Sequence, residues 1–334
     1  MSKKIIFIAA VLAILSLGCS FEFQKKETKD FRTGFNGLSM AFLKNTPPSK
    51  VFEFDTIPVL VRVANGGAYS IQNEAYLSLG IEKDYTKKAT LLAGGRASPV
   101  EGVSSNANFG LDGKSAIRPS GDEEVISYTL DIGKIDPQSE QHTSTVIATL
   151  CYPYETVLSA TACIDTDVNN LRYGEKICSL SNMIFSGGQG APVAITMIEP
   201  QMVPLQPTAK DGVTDMVKPQ FLIYVENKGS GIVIDRGKAK EFCTKSEAWH
   251  EDFNIIYIDT SLGNSKLKCD LEKKIGSPDL GHIKLKDNKD IIRCFLEEGV
   301  SRNSDPYLSP LKITLTYGYT QSISASYLIE KRAS

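Results

Sequence analysis

The sequence predicts an all-β protein, with two tandem antiparallel β-sandwich domains following an N-terminal signal peptide or lipid anchor. Three observations carry that expectation. Short segments of alternating apolar and polar residues recur at roughly ten-residue spacing, separated by Gly, Pro, Asn and Asp, which is strand-and-turn chemistry. A long motif occurs twice. The first eighteen residues have the make-up of an export segment.

In chain order, Lys3 and Lys4 precede an apolar run from Ile5 to Gly18, short for a membrane span and suited to the core of a secretory signal. Residues 1–18 therefore read as a signal peptide or an uncleaved anchor. The segment SLGC, Ser16 to Cys19, resembles the lipobox of bacterial and archaeal lipoproteins, which implies lipidation of Cys19. An uncleaved anchor and plain secretion are the alternatives, and all three place the body outside the cytoplasm. Residues 19–36 are polar, without apolar period, and read as a tether.

The first domain, 37–187, opens with Leu38 to Leu43 and continues with TIPVLVRVANGG, Thr56 to Gly67, where Val59, Val61 and Val63 alternate with Leu60, Arg62 and Ala64 up to an Asn-Gly turn. Its counterpart is QFLIYVENKGSG, Gln220 to Gly231, at an offset of 162 residues. Ala93 to Glu123, rich in Gly, Ser and Asn, reads as a long surface loop. Glu124 to Gly133 is a strand matching Asp290 to Gly299. The closing stretch, Ile147 to Ile164, returns as Ile313 to Ile329: Thr149, Leu150, Tyr152 and Tyr154 answer to Thr314, Leu315, Tyr317 and Tyr319 at an offset of 165. Each copy reads as a hairpin formed by the last two strands of its domain. The SGGQGAP cluster, Ser186 to Pro192, marks the boundary.

The second domain, 188–334, begins with VAITMIEP, which parallels LSMAFLKN of the first. Strands follow at Gln220–Glu226, Phe253–Ile258, Lys266–Leu271, His282–Lys286, Ile291–Leu296 and Leu311–Tyr317; Lys238–Trp249 and Leu271–Ile275 are the candidate helical stretches. The V-x-V-x-N-x-G landmark and the closing motif resemble the immunoglobulin-like modules, including the CARDB group, of archaeal and bacterial envelope lipoproteins. That resemblance implies β-sandwiches in a secreted or envelope-anchored protein.

The formal charge is −2, and −4 without the segment bearing Lys3 and Lys4, so the chain has no electrostatic footprint for nucleic acid or anionic lipid headgroups. Beyond Cys19 the cysteines number six, an even set suited to an oxidising compartment. Cys151 and Cys163 flank Val157 symmetrically, so a turn there pairs them. Cys269 and Cys294, on two strands of the second domain, form the next pair, and Cys178 and Cys243 remain. Buried free thiols are the alternative.

Candidate chemistry is sparse. The three histidines, His142, His250 and His282, are not at metal-ligand spacing. WHED, Trp249 to Asp252, sets an indole and an imidazole beside two carboxylates, and otherwise reads as an exposed turn before a strand. DTDVNN begins like a calcium loop with Asp165, Asp167 and Asn169, but Asn170 stands at the glycine position and Lys176 at that of the bidentate glutamate. GGQ, Gly187 to Gln189, resembles the catalytic tripeptide of peptide release factors, a reaction that needs the ribosome, and is read as linker. No nucleophile elbow, P-loop or dinucleotide fingerprint occurs, and no cofactor is implied. The repeated tyrosines offer either an aromatic stripe or, more simply, one packed face of a sandwich.

The leading expectation is a non-enzymatic envelope protein, tethered to the membrane through its N-terminus and binding a protein or glycan at the cell surface. A secreted hydrolase built on Asp122, Glu123 and Glu124 or on the WHED turn is the alternative. A calcium-stiffened stalk is the third.

Overall fold

The computed structural model describes residues 30–92, 95–205, 215–245, 250–274 and 277–332, without side chains at 273–280. The export segment, Cys19, most of the tether, Gly94 and Trp249 lie outside the described residues. Alternation sets the strands. In the first repeat they are β1 (Leu38–Phe42), β2 (Thr56–Asn65), β3 (Ile71–Ile81), β4 (Thr86–Leu91), β5 (Ser98–Val100), β6 (Val103–Leu111), β7 (Glu123–Ile132) and β8 (Gln141–Ile164). In the second they are β9 (Val193–Pro204), β10 (Met216–Asn227), β11 (Ile255–Leu262), β12 (Lys268–Cys269), β13 (Glu272–Lys274), β14 (Ser277–Lys284), β15 (Lys289–Phe295) and β16 (Tyr307–Glu330). The protein is all-β and antiparallel but for one short helix, α1 (Ala239–Lys245), single turns and a few minor strands. Of the two stretches read as candidate helices, Lys238–Trp249 contains α1, whereas Leu271–Ile275 contains β13.

Each strand of the first repeat answers to the strand eight later. One sheet runs β1-β2-β7-β4; another runs β9-β10-β15-β12 with Met183–Ile184 added at its β9 edge. Both follow the A-B-E-D order of an immunoglobulin-type sandwich. The third sheet, of eleven strands, belongs to both repeats along the path β13-β14-β11-β16-β8-β3-β6-β5. Inward residues of β2 (Ile57, Val59, Val61, Val63) and of β10 (Val217, Phe221, Ile223, Val225) are buried, and the apolar side chains of both repeats merge into one core.

The closing motif corrects the hairpin expectation. No turn falls at Val157: β8 and β16 are each single strands of 24 residues, and they pair antiparallel over their whole length, from Gln141 opposite Glu330 to Ile164 opposite Tyr307. Residues 154–163 carry no Gly, Pro, Asn or Asp to reverse the chain at Val157. Each copy of the motif instead finds its antiparallel partner in the other copy. Pro153 lies opposite Gly318, its own equivalent at the 165-residue offset, so a local two-fold axis passes through that pair.

Each long strand starts in its own repeat and ends in the other. The first half of β8 pairs with β3, while farther along Thr156 donates to the Val193 carbonyl of the second repeat at 2.6 Å. The first half of β16 pairs with β11, while farther along the Tyr327 and Thr86 hydroxyls meet at 2.6 Å and Gln321 donates to the Leu38 carbonyl at 2.7 Å in the first repeat. The sheet position beside each repeat's last strand is thus filled by the other repeat. Residues 37–187 and 188–334 consequently do not stand as two tandem bodies, and Phe31–Ser334 is one compact unit.

The repeated V-x-V-x-N-x-G and tyrosine landmarks form one device, built twice. Asn65 ends β2 pointing inward; its side-chain amide donates to the Tyr69 carbonyl at 2.7 Å, and its Oδ1 accepts from the Gly67 amide and the Tyr154 hydroxyl at 3.1 and 3.0 Å. Asn227 does the same with the Gly231 carbonyl, the Gly229 amide and the Tyr319 hydroxyl. A Cβ on Gly67 would fall on the Tyr154 hydroxyl and the Asn36 carbonyl, which explains the glycine. Tyr152 donates to the carbonyl of Leu38, and Tyr317 accepts from the amide of Val193, the equivalent residue at the start of β9. All four tyrosines are buried, so they are packing and turn clamps.

The expected loop Ala93–Glu123 is also corrected, because β5 and β6 lie within it. Ala107, Phe109 and Leu111 are buried at alternate positions, a period disguised by the intervening Asn108 and Gly110.

Candidate binding cleft

Side chains on the face of the shared sheet opposite the clamping tyrosines line a cleft. Between β10 and β11 the chain makes an excursion of 27 residues, whereas only five join β2 to β3. Its first part, Ile232–Ile234, pairs with Gly318–Thr320 of β16 beside the two-fold. The absence of a side chain at Gly318 permits this approach, since a Cβ there would meet the Asp235 carbonyl at 2.8 Å. Asp235 then caps a 3-10 turn, Arg236–Lys238, with Oδ1 accepting from the Gly237 amide at 2.9 Å. Helix α1 follows, and the Cys151–Cys243 disulfide fastens it to β8. Ile234, Ala239, Cys151 and Cys243 are buried together, with Phe242 and Phe253 packed edge to face at 5.1 Å.

This excursion walls a cleft of about 500 Å³ over the two-fold. Glu74 and Tyr76 come from β3, Pro153 from β8, Thr316 from β16, Tyr257 from β11, and Asp235, Arg236 and Lys240 from the excursion. Both repeats therefore build it. The Tyr257 hydroxyl donates to Asp235 Oδ2 at 2.9 Å. Burial, then that hydrogen bond and the charges of Asp235 and Asp252, push the Tyr257 phenol above its ordinary value. Tyr76 is raised by burial and by Glu74. Both phenols thus stay neutral, offering ring surface and hydroxyls, while Arg236, Lys240 and Glu74 supply exposed charges of both signs. Such a cleft can hold a polar ligand by stacking and hydrogen bonding.

The residues singled out by sequence lie elsewhere. Among the cysteines, Cys269–Cys294 pairs as expected. Cys151 bonds Cys243 and Cys163 bonds Cys178, contrary to the expected Cys151–Cys163 and Cys178–Cys243. The reason is again the missing turn, because along one continuous strand positions 151 and 163 lie about 40 Å apart. Asp122 is faced by Arg96 and Arg118, and Glu124 Oε1 accepts from the Arg96 amide. Burial works to raise the Asp122 pKa, but the hydrogen bond and charge of Arg96, with Arg118, outweigh it and hold the carboxyl below its ordinary value. Glu123 is exposed at the start of β7.

In the DTDVNN segment, the Lys176 ammonium stands where a cation would, at 2.6 Å from Asp165 Oδ2 and 2.8 Å from the Asp167 carbonyl. The Asp167 carboxylate accepts from the Leu171 and Arg172 amides, and Asn169 is exposed. His142 stacks on Tyr85 at 3.6 Å with Nε2 3.3 Å from Glu82; His250–Asp252 is a single 3-10 turn; His282 is buried on β14. Gln189 of GGQ is buried and exchanges two hydrogen bonds with the Ile195 backbone, a structural role at the junction of the repeats. Sequence reasoning missed the cleft because its residues run from position 74 to 316. Two signals pointed toward it: Cys151 has no cysteine counterpart in the second copy, and Cys243 falls in the unmatched excursion.

The six cysteines beyond Cys19 form three disulfides, the chemistry of an oxidising compartment. No described helix is long and apolar enough to cross a membrane. The fold defines a disulfide-braced, antiparallel β-sandwich protein. No protein-family model and no curated protein matches the sequence. Among solved structures, the partial N-terminal region of an enterococcal surface protein shows 10% identity, with 79% of this chain and 84% of that chain covered, at a TM-score of 0.19, a likeness too low to carry fold or function across.

Proposed function

We propose that the protein is a non-enzymatic binding or scaffold protein of the cell envelope, held at the outer face of the membrane through its N-terminal segment, with the cleft over the two-fold as its ligand seat. The supporting observation is the cleft itself: two neutral tyrosines and charges of both signs, contributed by both repeats and braced by a disulfide. Binding is favoured over hydrolysis because Asp122, offered by the sequence as catalytic, is faced by two arginines. The A-B-E-D sheets of both repeats support kinship with envelope modules of the CARDB type. The partner class is a protein or a glycan of the cell surface, and the acidic balance disfavours nucleic acid.

The test is photocrosslinking on intact cells from a reactive group placed at Lys240. A discrete adduct that is lost in Tyr76→Ala supports the cleft as the seat. An adduct pattern unchanged by Tyr76→Ala removes it.

A further inference from the structure

The loop that follows β8 buries polar side chains and exposes several large apolar ones, beside the exposed Glu175, Ser179, Ser181 and Asn182. Asp165, Thr166 and Asp167 are buried, and Lys176 turns inward to Asp165 and the Asp167 carbonyl. Leu171, Ile177 and Ile184 are each 74% exposed and Tyr173 is fully exposed, with Leu180 also on the surface. Five large apolar side chains within fourteen residues thus face outward from a loop that Cys163–Cys178 and the Lys176 network hold in shape. Large exposed apolar patches on a protein surface commonly mark a contact with a partner or a membrane.

The position of the loop indicates the cover. It ends three residues before Gly187, whose carbonyl accepts from the Gly34 amide at 2.7 Å, while Gly190 donates to the Gly34 carbonyl at 2.8 Å. Ile184 is therefore within about 10 Å, along the chain, of the place where the polypeptide enters the folded body. From Cys19 to Phe31 is twelve residues, which can span at most about 40 Å. We propose that the 171–184 loop is a lipid-contacting surface whose apolar side chains dip into the interfacial layer of the bilayer that holds the N-terminal segment. This rests on the envelope-anchored reading above.

The chemistry fits a lipid surface of zwitterionic rather than anionic character. Arg172 is engaged by the Ser304 carbonyl at 2.7 Å and by Asp305 at 3.5 Å, and Lys176 by Asp165, so no uncompensated cation is offered to phosphate. The backbone is irregular from 171 to 182 and its last two residues pair with β9, so it stays at headgroup level with side chains alone reaching the acyl boundary, a depth suited to tyrosine.

The full chain, reconstituted into phosphatidylcholine vesicles, carries the test. Tyr173→Trp is expected to add tryptophan emission that brominated phosphatidylcholine quenches, whereas Ile117→Trp, at an exposed apolar position of the first repeat, adds emission that it does not. With Tyr173→Trp in place, Leu171→Ser and Ile177→Ser together are expected to reduce that quenching about tenfold. Vesicle-bound protein in which the indole at position 173 is unquenched overturns the loop contact and leaves the anchor standing. Failure of the chain to float with vesicles overturns both. Quenching replaced by a dimer on size exclusion assigns the loop to a second copy and also overturns the proposal.

Discussion

The two repeats share every principal strand and both turn clamps, yet differ in what they place between β2 and β3 and between β10 and β11. Five residues suffice in the first repeat, while 27 in the second fold back over the two-fold axis. The common parts are those a sandwich needs: inward apolar alternation, an inward Asn to close the turn, and a tyrosine to hold it. The excursion makes the molecule asymmetric. It contributes α1, one cysteine of the disulfide that crosses between repeats, and five of the ten residues lining the cleft, Asp235, Arg236, Gly237, Ala239 and Lys240. Duplication thus supplies the frame, and departure from it supplies the candidate site.

The comparison can be broken at several points, beginning with the largest effect. Cys151–Cys243 closes 92 residues and joins a strand of the first repeat to the helix of the second. Its removal by Cys151→Ala with Cys243→Ala is expected to cost about 4–5 kcal/mol of unfolding free energy, against about 3 kcal/mol for Cys163–Cys178, which closes 15. Denaturant titration of the two variants gives the order, and equal losses would remove the claim that the first bridge restrains more of the chain.

The equivalent glycines should differ next. A Cβ on Gly67 meets backbone oxygens of Asn36 and Gly190 besides the Tyr154 hydroxyl, whereas on Gly229 the close atoms are side-chain atoms of Tyr319 and Pro192. Gly67→Ala is expected to cost about 3 kcal/mol and Gly229→Ala less, because side chains yield more readily than backbone. Thermal melts decide the order.

The clamps themselves should be nearly equal. Tyr154→Phe strands the Tyr69 amide and a lone pair of Asn65; Tyr319→Phe strands the Gly231 amide and a lone pair of Asn227. Each is expected to cost about 1–3 kcal/mol. A clamp that proves silent in one repeat would end the claim of a single device used twice.

The smallest effect is electrostatic. The folded-state pKa of Asp122 is depressed, chiefly by Arg96 against the opposing pull of burial, so its contribution to stability is present above the ordinary aspartate value and is lost as pH falls through the folded one. Arg96→Gln should therefore flatten the acid limb of the stability profile and leave neutral pH less changed. Urea midpoints measured across that limb provide the check.

Much of the fold was legible because period-two alternation, as in Val59, Val61 and Val63, reports a buried face directly. The repeat was legible because the Asn clamp and its tyrosine admit few substitutes. Pairing was not. An apolar-alternating strand of 24 residues satisfies its hydrogen bonds equally well folded on itself or laid against its copy, and the sequence distinguishes the two only by the lack of a turn former near Val157. That one choice also decided the partners of Cys151 and Cys163. The cleft was illegible for a different reason: it is assembled from single residues of many strands, each unremarkable in its own segment. The calcium-like loop was legible in its failure, since Lys176 already replaced the ligand in sequence and the ammonium stands in the cation's place in space.

The pairing of β8 with β16 admits a direct measurement. The Thr145 and Ser326 hydroxyls lie 3.1 Å apart on opposed positions of the two strands, although 181 residues separate them in sequence. Thr145→Cys with Ser326→Cys in the full chain should form an intramolecular disulfide on mild oxidation, seen by non-reducing peptide mapping. If each long motif instead folded into its own hairpin, the two new thiols would stay reduced or bridge between molecules, and the shared sheet would be wrong.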